Sequence, residues 1–187
     1  MPNHIQSYLT IKTDDESRLN EILDFLKNDE VGRGSIDFNK ITPTPPWVFQ
    51  DNLGKEHEEK WGIENCWYEW SRTNWGTKWN AYQSGAVAAG VNTIRFQTAW
   101  NGVAKLMIKL SMIFRDVEFD YGWADEDTGQ NVGEITFKDF KVIKENIPKG
   151  GTKEAYEMCF RIKDHWPKCY RYDEGEGTYV YDEDLDT

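Results

Sequence analysis

The sequence predicts an α+β protein in which two helices cover one face of an antiparallel four-stranded sheet. Two observations carry this prediction. Short segments alternate between apolar and polar side chains, and two longer segments carry apolar stripes at helical spacing. In chain order the pattern is strand, helix, strand, and then the same three elements again. Helices that pack on one side of a sheet bury their stripes, so the two halves are expected to fold against each other.

The first half of the pattern spans residues 3–42. Residues 5–11 alternate in the manner of a half-buried strand, and residues 36–41 predict a second, shorter strand. Between them, Thr13-Asp14-Asp15-Glu16 predicts a capped helix start. The helix that follows is predicted from apolar residues at i, i+3, i+4 and i+7, namely Leu19, Ile22, Leu23 and Leu26.

The second half spans residues 92–125, with strands predicted over 93–100 and 117–123 and a helix over 103–114. Together the halves form a split βαβ, or ferredoxin-like, arrangement. We expect one domain over residues 1–187, in which this core is interrupted by an insertion (43–91) and followed by a C-terminal extension (126–187).

The insertion and the extension differ in composition. The insertion holds six of the nine tryptophans, so it is expected to pack on the core. The extension predicts a strand pair over 135–143 and a helix over 152–163. Residues 171–187 carry seven acids and one arginine, which fits a solvated tail or a final hairpin around Gly175 and Gly177. The extension is a candidate to cover the open face of the sheet.

Composition excludes several classes of function. Over 187 residues, 33 acids against 22 bases give a net charge of −11, which argues against direct nucleic-acid binding because phosphate contacts require clustered bases. Tyr8 is the one aromatic expected on the open sheet face, whereas RNA-binding relatives of this fold present two or three.

No apolar run is long enough to span a membrane. Three scattered cysteines indicate a reduced, cytoplasmic setting.

Two segments carry a resemblance to a known family. They are Asn74-Trp75-Gly76-Thr77-Lys78-Trp79-Asn80-Ala81-Tyr82 and Ala124-Asp125-Glu126-Asp127-Thr128-Gly129-Gln130-Asn131-Val132-Gly133, together with Thr98-Ala99-Trp100. Over residues 1–145 the chain resembles the YubB ferredoxin-like domain family of phages, plasmids and integrated elements. The resemblance implies the ferredoxin-like fold and a mobile-element context, and it implies no activity. The chain departs from the family after Trp100, where Asn101-Gly102-Val103 replaces a proline-containing helix entry.

The first of these segments supplies five candidate ligand- or partner-binding residues: Trp75, Lys78, Trp79, Asn80 and Tyr82. One interpretation places a cation between the two indoles, with Asn80 hydrogen-bonding a ligand. The other is structural: the aromatic rings close the sheet edge, and Lys78 pairs with Glu126 or Asp127.

The second segment is an acidic loop that supplies four more candidates: Asp125, Glu126, Asp127 and Asn131. Asp125 and Asp127 are weak candidates for metal ligands, because the spacing departs from the calcium-binding loop pattern. A solvated or internally paired turn is the main interpretation, so we expect no metal and no cofactor.

These observations favour a non-catalytic accessory protein of a mobile element that binds a protein partner, and the acidic charge favours a basic one. The alternative is a small-ligand or nucleotide-binding module with a pocket between the two segments. A metal-dependent enzyme is a third reading. The three histidines are isolated from any nucleophile, so no catalytic residue is predicted. The oligomeric state is not predicted.

Overall fold

The computed structural model of the protein describes residues 2–85 and 87–185. Within these residues the α-helices are α1 (Glu16–Leu26), α2 (Phe38–Ile41), α3 (Lys55–Trp61), α4 (Trp67–Asn74), α5 (Ala104–Ile113) and α6 (Lys153–Lys163). The strands are β1 (His4–Lys12), β2 (Thr93–Ala99), β3 (Glu118–Asp125), β4 (Val132–Lys138), β5 (Lys141–Asn146), β6 (Tyr170–Asp173) and β7 (Thr178–Tyr181). None of these helices is long and apolar enough to cross a membrane.

Five strands form one antiparallel sheet in the order β2-β1-β3-β4-β5. Both β2 and β3 run antiparallel to β1, which lies between them, and α5 connects the two. This is the split βαβ unit that the second half of the sequence predicts. Strands β4 and β5 confirm the predicted pair and extend the sheet beyond its expected four strands.

The predicted strand over residues 36–41 is wrong. Phe38–Ile41 forms the short helix α2, because the Asp37 carboxylate accepts a hydrogen bond from the Asn39 amide at the helix start. The sheet edge beside β2 is instead covered by the insertion. There Tyr82 exchanges two backbone hydrogen bonds with Gln97, at 3.1 and 2.7 Å. A loop therefore takes the place of the missing edge strand.

The two helices predicted for the core are confirmed, and their apolar stripes are buried except at Ile113, near the end of α5, which is exposed. In α1, Leu19, Ile22, Leu23 and Leu26 belong to the same core cluster as Leu106, Met107 and Leu110 of α5. The Asp15 side chain caps α1. No side chain caps α5, but the Tyr121 hydroxyl accepts a 2.8 Å hydrogen bond from the Val103 amide at its start. Burial raises the pKa of Tyr121 to about 12.

The C-terminal extension covers the opposite face of the sheet. Helix α6 contacts β1, β3 and β4. Its buried side chains form a second cluster with Ala124, Val132 and Tyr8: Ala155, Met158, Cys159 and Ile162. Strands β6 and β7 pair from Tyr170–Tyr181 to Asp173–Thr178. Of the two interpretations of residues 171–187, the hairpin is therefore observed over residues 170–181.

Candidate functional site

The first candidate segment follows α4 and contributes to the core. The Trp75 side chain is buried, and its indole N–H donates a 2.9 Å hydrogen bond to the carbonyl of Thr42. Its ring meets Phe38 and Trp70 edge-on, with centroids 5.9 and 5.2 Å apart. Trp75 is therefore a packing residue, as the structural interpretation of this segment predicts.

Asn80 is also engaged within the fold. Its side-chain oxygen accepts hydrogen bonds from the backbone amides of Phe38 and Ala81, both at 2.9 Å. Its amide nitrogen donates to the Asp37 carboxylate at 2.6 Å. The polar atoms of Asn80 therefore hold α2 against the insertion rather than facing a ligand.

Lys78 lies among aromatic rings rather than beside the acidic loop. Its ammonium group is 4.6 Å from the ring centroid of Trp79, 5.2 Å from Trp100 and 6.0 Å from Tyr68. A cation near ring faces is stabilised by their negative electrostatic potential. Among the ion pairs of the described residues, none joins Lys78 to Glu126 or Asp127. The expected pair between the two segments is not formed.

Tyr82 links the insertion to the start of β1 and the end of β2. Its hydroxyl lies 2.6 Å from His4 Nδ1 and donates to the carbonyl of Thr98 at 3.1 Å. The Trp79 ring lies 6.3 Å from it in an edge-on arrangement. Burial, with the charge of Glu126 adding to it, raises the pKa of Tyr82. Tyr82 therefore stays protonated and fixes the sheet edge.

The acidic loop is organised around the buried carboxylate of Asp125. One oxygen accepts hydrogen bonds from the Asn3 side chain and the Asp127 amide, and the other accepts from the Asn131 side chain, all at 3.0 Å. Asn131 also donates to the carbonyl of Trp100 at 3.1 Å. Glu126 and Asp127 are exposed. Asp125 is occupied by N–H donors, so it is a poor cation ligand without rearrangement.

The two segments meet at the end of the sheet where β1 begins and β2 and β3 end. Between them lies an open cavity of about 350 Å³ whose wall includes Trp75, Gly76, Trp123 and Asn131 and the start of α5. Lys78 and the three acids do not line it. Over residues 2–85 and 87–185, no group of three or more histidine, cysteine, aspartate or glutamate side chains is placed to hold a metal ion.

A polar cluster on the other face of the sheet is absent from the sequence-based candidates. The Tyr8 hydroxyl donates to Glu134 at 2.7 Å, and the Arg161 guanidinium contacts both oxygens of Glu134, at 2.5 and 2.9 Å. These groups border a hollow of about 220 Å³ that also reaches Asp120 and Lys144. The cluster fastens α6 to the sheet.

The charges of this cluster support one another. Burial raises the pKa of Tyr8, and the hydrogen bond to Glu134 adds to the effect. Burial alone would raise the pKa of Glu134, but hydrogen bonds from Arg161 and Tyr8 outweigh it and lower that pKa. The sequence marks Tyr8 as a residue of the open face. It gives no sign of Arg161, because the position of α6 depends on tertiary packing.

A third surface is formed by Trp166 and residues 170–185, which we call the acidic hairpin surface. It displays six carboxylates: Asp173, Glu174, Glu176, Asp182, Glu183 and Asp184. Arg171 pairs with Asp173 and Asp182. The sequence signals this surface through its run of acids, whereas the packing of its aromatic rings on α6 depends on tertiary structure.

The fold and these surfaces define an α+β sheet protein with two covered faces and polar surfaces around it. Residues 74–166 match the family model described as a ferredoxin-like domain in Api92-like protein. The match begins at the first candidate segment and supports a ferredoxin-like domain, which agrees with the split βαβ unit. Comparisons with curated proteins and with solved structures gave no match.

Proposed function

We propose that this protein is a non-catalytic binding module that recognises a basic segment of a partner protein through the acidic hairpin surface. The observation that carries the proposal is the set of carboxylates on that surface that have no cation beside them. Among the ion pairs of the described residues, none engages Glu174, Glu176, Glu183 or Asp184. A basic partner would supply the missing positive charges.

Exposed aromatic rings support the same proposal. The Trp166 side chain is 60 % exposed and that of Tyr172 is 42 % exposed. The Lys153 ammonium already lies 5.0 Å from the Tyr172 ring centroid, so this ring face attracts a cation within the chain itself. Aromatic residues beside acids offer a lysine or arginine both stacking area and charge.

Aromatic packing ties the backbone of the hairpin to α6, which lowers the entropic cost of binding. The Phe160 ring of α6 packs against Tyr170 and Tyr179, with centroids 5.8 and 5.3 Å apart. Trp166 lies 5.0 Å from the same ring. These contacts anchor the strands that carry the acids to α6.

The remaining parts of the proposal come from the sequence. The net charge of −11 would speed the approach of a basic partner. Because of the resemblance to the YubB family, we propose that the partner belongs to a phage, plasmid or integrated element or to its host, and that binding takes place in the cytoplasm.

The test compares capture of proteins from host lysate by the wild-type chain and by two charge-reversed variants. Glu174→Lys/Glu176→Lys changes the acidic hairpin surface. Glu58→Lys/Glu59→Lys makes the same charge change on α3, where both residues are exposed. We expect wild type and the α3 variant to retain one defined basic protein, and the hairpin variant to lose it. Retention should fall between about 50 and 500 mM salt.

Equal capture by all three proteins would contradict the proposal, as would a captured protein without a basic segment. Purified partner and wild-type chain should also bind in a two-component titration, which separates direct contact from co-capture.

A second candidate function is the small-ligand module, which the cavity between the two segments favours. Its wall differs from the predicted pocket, since Lys78 and the acids do not contribute. Thermal unfolding with ATP, GTP and NAD tests it, because a ligand that binds the folded state raises the unfolding midpoint. A rise that Asn131→Ala removes would support the pocket; no rise with any of the three would count against it.

A further inference from the structure

The strand β5 forms one edge of the sheet and is open to solvent along its length. All six of its residues, Lys141–Asn146, are exposed. Within the described parts of the chain, the backbone groups of residues 141–147 make no backbone hydrogen bond beyond the pairing of β5 with β4. The outward N–H and C=O groups of an edge strand are a template for another strand.

Apolar side chains stand along this edge. Val142 and Ile143 are about half exposed, as are Phe140 and Ile147 on either side of the strand. Ile143 is opposite no residue of β4, because the register shifts by one position at this point. Exposed apolar groups beside free backbone groups are the combination that strand-adding recognition uses.

The turn that leads into β5 holds an aromatic ring at the surface. Asp139 and Phe140 both have positive φ, at 46° and 62°. Such turns favour asparagine and glycine, and a bulky residue in this conformation costs on the order of 1 kcal/mol. The Phe140 ring remains 55 % exposed, so its own burial does not offset this cost.

The charge at this edge is opposite to that of the whole chain. Residues 138–149 carry Lys138, Lys141, Lys144 and Lys149 against Asp139 and Glu145, a local charge of +2 within a chain of −11. Asp139 already lies 3.6 Å from Arg115. No ion pair of the described residues engages any of the four lysines. The complementary ligand is therefore acidic.

We propose that the β5 edge binds an extended acidic segment of a partner protein as a sixth strand of the sheet. The segment would hydrogen-bond to the outward backbone groups of β5, place its apolar residues beside Val142 and Ile143, and place its acids beside Lys141 and Lys144. A second copy of the chain fits less well, because its own β5 would bring further lysines to the same edge. This site is separate from the acidic hairpin surface and selects the opposite charge.

The test selects peptides from a random displayed library on immobilised wild-type protein. We expect enriched sequences to alternate apolar and acidic residues. Lys141→Glu/Lys144→Glu should weaken their binding about tenfold or more. Lys105→Glu/Lys109→Glu is the matched control, because these exposed lysines of α5 undergo the same charge change and should leave binding unaltered. Hydrogen exchange of residues 141–146 should slow when peptide is bound.

Several outcomes would overturn the proposal. They are no enrichment, enrichment of basic peptides, equal binding by both charge variants, or unchanged exchange at β5. Dimer formation by the wild-type chain that Lys141→Glu/Lys144→Glu abolishes would show that a second copy is the occupant. Ile143→Pro removes one backbone N–H without changing charge, and it should also weaken binding. Circular dichroism and thermal unfolding confirm that each variant folds.

Discussion

The Tyr8 ring crosses the neighbouring strand over Gly122 and places its hydroxyl 2.7 Å from Glu134. Tyr8 is on β1, Gly122 is its direct partner on β3, and Glu134 is the partner of Gly122 on β4. Three adjacent strands are thus joined by one side chain that lies across a glycine. Arg161 of α6 then binds the same carboxylate, so the helix is fixed to the sheet through this line of residues.

Replacing Glu134 by glutamine should destabilise the protein by about 1–2 kcal/mol, because Arg161 loses a charged partner and Tyr8 a charged acceptor. The expected loss is modest because the Arg161 side chain is 56 % exposed, so solvent screens its ion pair with Glu134. Urea unfolding monitored by circular dichroism measures it. Glu69→Gln is the control: its pair with Arg72 lies on the surface of α4, and the loss should stay below about 0.5 kcal/mol. Equal losses would show that the cluster does not fasten α6.

The contribution of Glu134 should depend on pH in a defined direction. Its pKa is lower in the folded protein than the ordinary value of 4.5. Its stabilising effect is therefore complete above pH 4.5 and is lost as the pH falls through the folded value. The difference in unfolding free energy between wild type and Glu134→Gln should therefore shrink as the pH is lowered below about 4.5. A difference that stays constant over this range would contradict the assignment.

Gly122→Ala should be destabilising by about 1–3 kcal/mol, because overpacking forces neighbours from their positions. A Cβ atom at residue 122 would lie 2.4 Å from Cε1 of the Tyr8 ring. Gly85→Ala is the control, since nothing lies within 4 Å of its added Cβ. The sharper measurement is a double-mutant cycle: in a Tyr8→Ala background, Gly122→Ala should cost much less. An additive cycle would mean that the ring does not lie over Gly122.

Lys78→Gln should lower the free energy of unfolding by about 1 kcal/mol, through lost attraction between the ammonium group and the surrounding rings. Lys78→Arg should retain most of it. Glu126→Gln should have no effect, and combining it with Lys78→Gln should give an additive result, because no ion pair joins the two residues. Strong coupling between residues 78 and 126 in thermal unfolding would instead support the ion pair that the sequence suggests.

Millimolar Mg²⁺, Mn²⁺ or Ca²⁺ should leave the thermal unfolding midpoint unchanged. Both oxygens of Asp125 already accept hydrogen bonds, so a cation would have to displace Asn3, Asn131 or the Asp127 amide. Differential scanning fluorimetry measures the shift. A rise that disappears in Asp127→Asn would instead support the metal-binding interpretation, since a ligand of the folded state raises the midpoint by mass action.

The sequence is informative where local pattern and burial agree. The stripe from Leu19 to Leu26 and the alternation over residues 5–11 predict elements that the structure contains. Residues 36–41 are also predicted as a strand, yet Phe38–Ile41 forms the helix α2. Two sets of contacts favour the helix: the local Asp37 cap at its start, and the hydrogen bonds of Asn80 with Asp37 and the Phe38 amide. The second set is distant in the chain, so no local pattern shows it.

The candidate residues illustrate the same limit. The small-ligand interpretation requires the two segments to meet, and both do reach one end of the sheet. Whether Asp125 and Asn80 bind a ligand or hold the chain depends on donors from Asn3, Asn131 and Asp37. Those partners are set by tertiary packing, so the sequence leaves both interpretations open.

Helix α6 has a practical consequence for the design of shorter fragments. It screens Ala124, Val132 and one side of Tyr8 from water, although it lies outside the βαβ core. A fragment ending ahead of Thr152 would expose these apolar side chains to solvent, and exposed apolar patches promote aggregation. Recombinant work on the ferredoxin-like portion should therefore carry the chain through Trp166 at least.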